Sequence, residues 1–503
     1  MKNPNILFIQ VDQLAASALS AYGNGFVKTP ALDRLAQDGV VFENAYCNFP
    51  LCAPSRFSMA TGRLASDAGA YDNAAEFAAD IPTYAHHLRR AGYQTSLSGK
   101  MHFIGPDQFH GFEKRLTADL YPADYAWVPH WGDEGERDTN DPRAVRIAGV
   151  AARTVQMDYD EEVSQKAVRH LYDLARSDDT RPFFMQVSFT HPHEPYLCKQ
   201  ESWDLYEDVD IPLPHVPALS EAEHDPHSVR LLKDFGMLDA DFSEEELRTA
   251  RRAYFGSLSY TDMLIGLVLD ALKDAGFAEN TAIVFTSDHG DFLGERGLWF
   301  KKHFYDPSLK VPLFVTAPWI APGRASTLAS LVDLLPTFNG LAQGSPWQDR
   351  TLPLEGADLT GILSAPQPER AIYAEYLAEA AEAPICMIRR GRYKFVTCET
   401  DGHLLFDMVS DPDERVNLAE DPAHAERLAG FAAEAAAKWD VPGLTAVIKA
   451  SQQRRLLIRD AAAQGEPVCW NHGERPGEDV PWYRGKQGYN EWAFDYLPPA
   501  GRE

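Results

Sequence analysis

The 503 residues are too many for one compact core, so one large domain with a smaller appendage is expected. The 45% hydrophobic and 24% charged residues are those of a folded globular protein and exclude a chain disordered throughout. With 47 Lys and Arg against 74 Asp and Glu, the net charge of -27 argues against a nucleic-acid partner, whose phosphates require a basic face.

The apolar run from Asn5 to Val11 has the length and continuity of a parallel strand covered on both faces. It is too short to cross a membrane, and no small-residue cleavage site follows it. A cytoplasmic protein with no membrane partner is therefore expected. Thr29-Pro30 offers an N-cap and a first-turn proline for a helix ended by Gly39. A second helix fits Thr83 to Ala91, and Tyr93 to Leu97 and Phe183 to Phe189 read as strands. Ser243 with Glu246 forms a capping box ahead of an amphipathic helix reaching Ala275. Thr281 to Phe285 and Val311 to Thr316 complete a set of buried strands alternating with helices, the pattern of an α/β sandwich with a large, mostly parallel sheet.

The texture changes after residue 364. Ala371 to Tyr376, Cys386 to Arg390, Tyr393 to Cys398 and Leu404 to Met408 read as short antiparallel strands, followed by an alanine-rich helix from Ala423 to Trp439. The expected organisation is a catalytic domain over 1–364, a smaller C-terminal α/β subdomain over 365–464 and a tail over 465–503. The tail's aromatic content suits packing on a neighbouring subunit or on its own domain.

The six cysteines show neither a CxxC pair nor zinc spacing, so most are expected to be small buried hydrophobes. Cys52 differs by context. Pro54 and Ser55 suit the opening of a helix, which sets residue 52 just ahead of a helix N-terminus, where free N–H groups and partial positive charge favour an oxyanion. The segment Leu51-Cys52-Ala53-Pro54-Ser55-Arg56 with Thr61-Gly62 resembles the signature of the type I sulfatases, members of the alkaline phosphatase superfamily. The stretches 71–76, 98–102, 188–195, 287–291 and 294–301 look like the choline sulfatase branch of that family.

The resemblance implies an alkaline-phosphatase-like sandwich. It also implies that Cys52 is oxidised to formylglycine by a formylglycine-generating enzyme, and that a small sulfate ester is cleaved through a formylglycine-sulfate intermediate. Asp12, Asp288, His289 and the converted residue 52 are the implied ligands of one divalent ion, Ca²⁺ first, with Mn²⁺ or Mg²⁺ left open. Carboxylates with one imidazole suit such an ion. Lys100 and Arg56 would hold sulfate or hydrate oxygens, His193 and Lys301 would serve the leaving group, and His102 would take the proton that regenerates the aldehyde. Asn73, Trp127 and Glu379 are the implied substrate contacts; an indole face and a carboxylate suit a trimethylammonium. Taken singly, each of these residues is as readily a core or surface group, and His191 and His303 are read as such. A homodimer or homotetramer is also implied.

The chain departs from the family in places. Gln13 and His289 stand where many sulfatases carry Asp and Asn, a pattern shared with phosphonate monoester hydrolases. Gly135 to Pro142 lacks the aromatic, His- and Asn-rich stretch of choline sulfatases. A phosphonate or phosphate ester hydrolase, and a non-catalytic binding protein on the same fold, therefore stay open as alternatives.

Overall fold

The computed structural model describes residues 3–129, 131, 140–342, 353–364, 367, 369–466, 469–473 and 489–499. The main sheet has eight strands: β1 (Asn5–Val11), β2 (Val40–Phe42), β3 (Gln94–Gly99), β4 (Lys114–Arg115), β5 (Phe183–Ser188), β6 (Thr281–Ser287), β7 (Leu313–Thr316) and β8 (Gly323–Ala325). Their order across the sheet is β8-β2-β7-β6-β1-β5-β3-β4. Only β7 opposes the rest, pairing antiparallel with both β6 and β2. The expected α/β sandwich with a mostly parallel sheet is what forms.

β1 lies at the centre because its side chains serve both faces. Ile6 and Phe8 enter one core cluster, and Leu7, Ile9 and Val11 enter the other. Helices α1 (Pro30–Asp38), α4 (Val155–Arg176) and α5 (Glu244–Asp274) cover the second face, while α2 (Cys52–Thr61) and α3 (Tyr84–Arg90) cover the first. The capping box opening α5 is present: Ser243 Oγ accepts from the Glu246 N–H at 3.2 Å, and the Glu246 carboxylate accepts from the Ser243 N–H at 2.8 Å. Among the described residues, α5 is the one helix long and apolar enough to cross a membrane, and most of that stretch is buried against the sheet.

The second sheet is the antiparallel meander β9 (Ala371–Tyr376), β10 (Ile385–Arg390), β11 (Tyr393–Cys398) and β12 (Gly402–Asp407). One face, with Ile372, Tyr376 and Met387, joins the core of the main body; the other packs Cys386, Ile388 and Phe395 on helix α6 (Ala425–Lys438). A further helix, α7 (Val441–Ala462), follows. The division expected at 364/365 falls beside residues 365 and 366, which lie outside the described ones, as do Gly135 to Thr139 and much of the tail. Where the tail is described it rests on its own chain: Asn471 Nδ2 donates to the Tyr121 carbonyl at 3.3 Å, and Tyr496–Leu497 pairs with Arg153–Thr154.

Two long helices, α4 and α7, have no counterpart in the sequence reading. In α7, Pro442-Gly443 reads as a turn, yet proline is tolerated in a first turn whose N–H groups have no intrahelical partner. The Asp440 carboxylate caps that end, accepting from Gly443 N–H at 3.2 Å. Arg455 of α7 then binds buried Asp72 through two contacts of 2.7 Å, holding the 71–76 segment against the body. Arg455→Ala leaves a buried carboxylate unpaired, so urea denaturation is expected to show a loss of about 3–5 kcal/mol; a loss below about 1 kcal/mol would mean the pair does not hold this segment.

Candidate active site

Four neighbouring parallel strands, β6, β1, β5 and β3, deliver their C-terminal ends to one point, the position where open α/β sheets gather chemistry. Asp12 follows β1, Asp288-His289 follow β6, Lys100 follows β3, and the 190–194 turn follows β5. Gly99 makes the Lys100 turn possible: its φ is 110°, and a Cβ there would sit 1.9 Å from the Ser188 carbonyl oxygen.

Arg56 ties these ends together. Its Nη2 contacts Asp12 Oδ2 at 2.9 Å, its Nε contacts Asp288 Oδ2 at 2.8 Å, and all three side chains are fully buried. Nη1 donates to the Lys100 carbonyl at 2.5 Å and to Ser188 Oγ at 2.9 Å. Four of its five N–H groups are thus engaged within the protein, and Arg56 is not among the residues lining the pocket described below. In this structure Arg56 organises the carboxylates that face the reacting centre.

With both Oδ2 atoms engaged, Oδ1 of Asp12 and Oδ1 of Asp288 each lie 3.8 Å from His289 Nε2. The His289 Nδ1–H donates to the Gly290 carbonyl at 3.0 Å, which turns Nε2 inward. Ligand atoms of Asp12, Cys52, Asp288 and His289 all lie within 4.8 Å of one another. Two hard carboxylates and an oriented imidazole around one gap fit a divalent ion. The electrostatics agree. Burial would hold His289 down, but Asp288 and Cys52 carry it up to about 9, so the gap favours positive charge. Burial and Cys52 push the Asp12 carboxyl up, yet Lys100 and Arg56 outweigh them and hold it well below the usual range.

Residue 52 reaches this gap from α2. It is the first residue of the helix, one position further in than expected, because Leu51 is the N-cap and Pro54 falls in the first turn. Cys52 Sγ, standing where a formylglycine hydroxyl would lie, is 3.2 Å from His289 Nε2 and 3.9 Å from Asp12 Oδ1. Burial raises a thiol, but Lys100, Lys301 and His289 bring Cys52 well below its ordinary value, so this position stabilises an anion. Burial pushes Cys47, Cys198, Cys386 and Cys398 the opposite way, as suits core cysteines.

Beside residue 52, Lys301 Nζ lies 2.8 Å from His193 Nε2 and 2.5 Å from Gln13 Oε1. The ammonium donates, and His193 Nδ1–H donates in turn to the Glu194 carbonyl at 2.8 Å. Burial opposes the Lys301 charge, while Glu194 and Cys52 raise its pKa to about 12. Gln13, noted only as a departure, turns from the metal cluster: its amide donates to Glu194 Oε2 at 2.5 Å and Asp291 Oδ2 at 2.7 Å. Its neutral side chain links Lys301 to two acids. On the other side, both ring nitrogens of His102 are buried, and the side chain the ring addresses is Cys52, so a group bound at residue 52 would complete its hydrogen bonding. Burial also lowers its pKa and keeps the ring neutral. His191 pairs with Asp160 at 2.7 Å and His303 with Asp225 at 3.2 Å, and neither lines the pocket.

A cavity of about 60 Å³ opens from Cys52. The expected contacts Asn73, Trp127 and Glu379 line it with His193 and Lys301. Asn73 also accepts from the Ala53 N–H at 3.0 Å, securing the start of α2. Tyr121, Asn140 and Lys302 line the cavity as well and were not singled out from sequence. Asn140 lies in the stretch read only as a departure. Trp127 stands edge-on to His102 and Tyr121, with ring centroids 5.6 and 5.1 Å away.

The sequence pattern described as Sulfatase matches residues 4–345, and that of the N-sulphoglucosamine sulphohydrolase C-terminal region matches 294–436. The chain belongs to the sulfatase family. It is 44% identical over 483 residues to a choline-sulfatase of Rhizobium meliloti, covering 93% of each chain. An arylsulfatase of Clostridium perfringens is 29% identical, over 84% of this chain and 92% of that protein. The solved phosphonate monoester hydrolase of Silicibacter pomeroyi superposes with TM-score 0.71 at 25% identity, over 86% of this chain and 94% of that one. This sulfatase is an enzyme of the formylglycine-dependent kind on the alkaline-phosphatase-like fold, and its buried Asp, Cys, Asp and His cluster is suited to a divalent metal. Purified protein is expected to carry about one equivalent of divalent metal, and Asp12→Asn well under that, by elemental analysis. Equal metal content in the two would place the ion elsewhere.

Proposed function

We propose that this sulfatase hydrolyses a small alkyl sulfate to alcohol and inorganic sulfate, with choline-O-sulfate the first candidate. The observation that supports it is a single cavity joining Cys52, His193 and Lys301 to Trp127 and Glu379. The first end has the charge for a sulfate; the second has the ring face and carboxylate that draw a quaternary ammonium. The extensive similarity to a choline-sulfatase supports the same head group.

Once residue 52 carries the hydrated aldehyde, one of its hydroxyls attacks sulfur and the S–O bond to the alcohol breaks. A divalent ion, Ca²⁺ by preference, would be held by Asp12, Asp288 and His289 with residue 52, and would supply positive charge beside the reacting centre. Lys301, held by Gln13 and His193, gives its proton to the departing alkoxide, since an alkoxide is a poor leaving group without an acid. Lys100, 2.5 Å from Asp12 Oδ2, adds positive charge beside the reacting centre. His102, neutral and beside residue 52, takes the proton from the second hydroxyl as sulfate departs and the aldehyde returns.

Cys52→Ala is expected to abolish turnover while leaving the circular dichroism spectrum and metal-free stability near wild type; surviving activity would remove residue 52 from the reaction. Trp127→Ala is expected to lower kcat/KM for choline-O-sulfate more than for a neutral aryl sulfate, by a margin matching a cation–π contact of about 0.5–2 kcal/mol. Equal losses would take Trp127 out of the cation site. A second reading, hydrolysis of phosphonate monoesters, is favoured by the fold match to a phosphonate monoester hydrolase together with Gln13 and His289. Comparing sulfate and phosphonate monoesters with the same leaving group separates the two.

A further inference from the structure

Two successive lysines enter one pocket. In extended chain, adjacent side chains point to opposite sides, yet Lys301 and Lys302 both line the cavity. The backbone is responsible: φ is 63° at Phe300 and 83° at Lys302, left-handed values that strain a non-glycine residue and persist only where the surroundings fix them. Here they are fixed on both sides. The Lys302 N–H donates to the Pro50 carbonyl at 3.1 Å, and the Lys302 carbonyl accepts from His227 Nε2 at 2.8 Å.

Lys302 is 4% exposed, and among the described residues its Nζ has one carboxylate within 4.0 Å, Glu379 Oε2, and lies 5.0 Å from the centre of the Phe235 ring. The pair is too long for a hydrogen bond, and the Phe235 ring face steadies the charge without accepting a conventional hydrogen bond, so the ammonium keeps N–H donors for a ligand. The consequence falls on the head group. Glu379 alone would make this end of the cavity a cation site. With Lys302 beside it, part of that pull is offset, and a lone cation relies chiefly on Glu379 and the Trp127 face. A head group that carries its own anion next to its cation meets both charges favourably.

We infer that Lys302 determines specificity, and that the pocket takes sulfate esters of small zwitterionic alcohols, the ammonium set toward Glu379 and Trp127 and the carboxylate toward Lys302. The inference rests on the alkyl-sulfate reading and changes only the head group. The test compares kcat/KM for L-serine O-sulfate, choline-O-sulfate and propyl sulfate in the wild type, Lys302→Met and Lys302→Gln. The wild type is expected to hydrolyse the serine ester. Both variants are expected to lose at least about tenfold on it relative to propyl sulfate, while choline-O-sulfate gains on propyl sulfate. A serine ester that the wild type leaves intact overturns the inference, whether or not the variants fold. So does an equal loss on all three esters. If no alkyl sulfate is cleaved while a phosphonate monoester is, the alkyl-sulfate reading itself has failed and this inference falls with it.

Discussion

The site depends on one buried guanidinium. Two carboxylates at the ends of adjacent strands, both withdrawn from water, would each cost several kcal/mol if left unpaired. Arg56 satisfies one oxygen of each and leaves the second oxygen of each facing the gap beside His289. The planar fork of arginine aims separate N–H groups at the two acids while Nη1 still reaches the Lys100 carbonyl and Ser188 Oγ. Because Arg56 lies on α2, its contact with both strand ends also fixes the helix. Residue 52 sits four positions earlier on the same helical face, so the same contact brings it to the gap. The spacing of cysteine and arginine in the signature thus has a geometric reason.

Around this centre the charges are sorted by side. Asp12, Asp288 and His289 form a place for a cation, while Lys100 and Lys301 make residue 52 a place for an anion. Gln13 keeps the two sides apart: as a neutral amide it can bind Lys301 and two acids at once without adding a charge to either side. The surrounding shell is equally directed. Arg455 holds the segment that carries Asn73, and the described tail supports Tyr121 from behind.

Much of this was legible in the sequence because the signals are local. The run from Asn5 to Val11 carries apolar residues on both faces, Ile6 and Phe8 on one and Leu7, Ile9 and Val11 on the other, and Asp12 follows it directly, so both the strand and its polar end could be read. The signature around Cys52 and the Asp288-His289 pair are likewise contiguous. What escaped depends on distant partners. The reversed direction of β7 is set by its connections. α4 mixes its buried Met157, Val163 and Leu171 with Asp, Glu and Lys, which weakens the periodic signal. α7 buries only Ile448, Gln452 and Arg455, and it opens on a Pro-Gly pair. The roles of Arg56, Gln13 and Lys302 follow from contacts with residues far along the chain and from backbone angles that residue type does not announce.

The central claim is that residue 52, as an aldehyde, is the group that accepts sulfate. The most direct measurement prepares the enzyme with graded conversion of Cys52, quantifies the aldehyde by hydrazide labelling and peptide mass spectrometry, and plots alkyl sulfate turnover against it. The account expects a straight line through the origin. Turnover in protein that holds only the thiol, or no dependence on the aldehyde fraction, would contradict it.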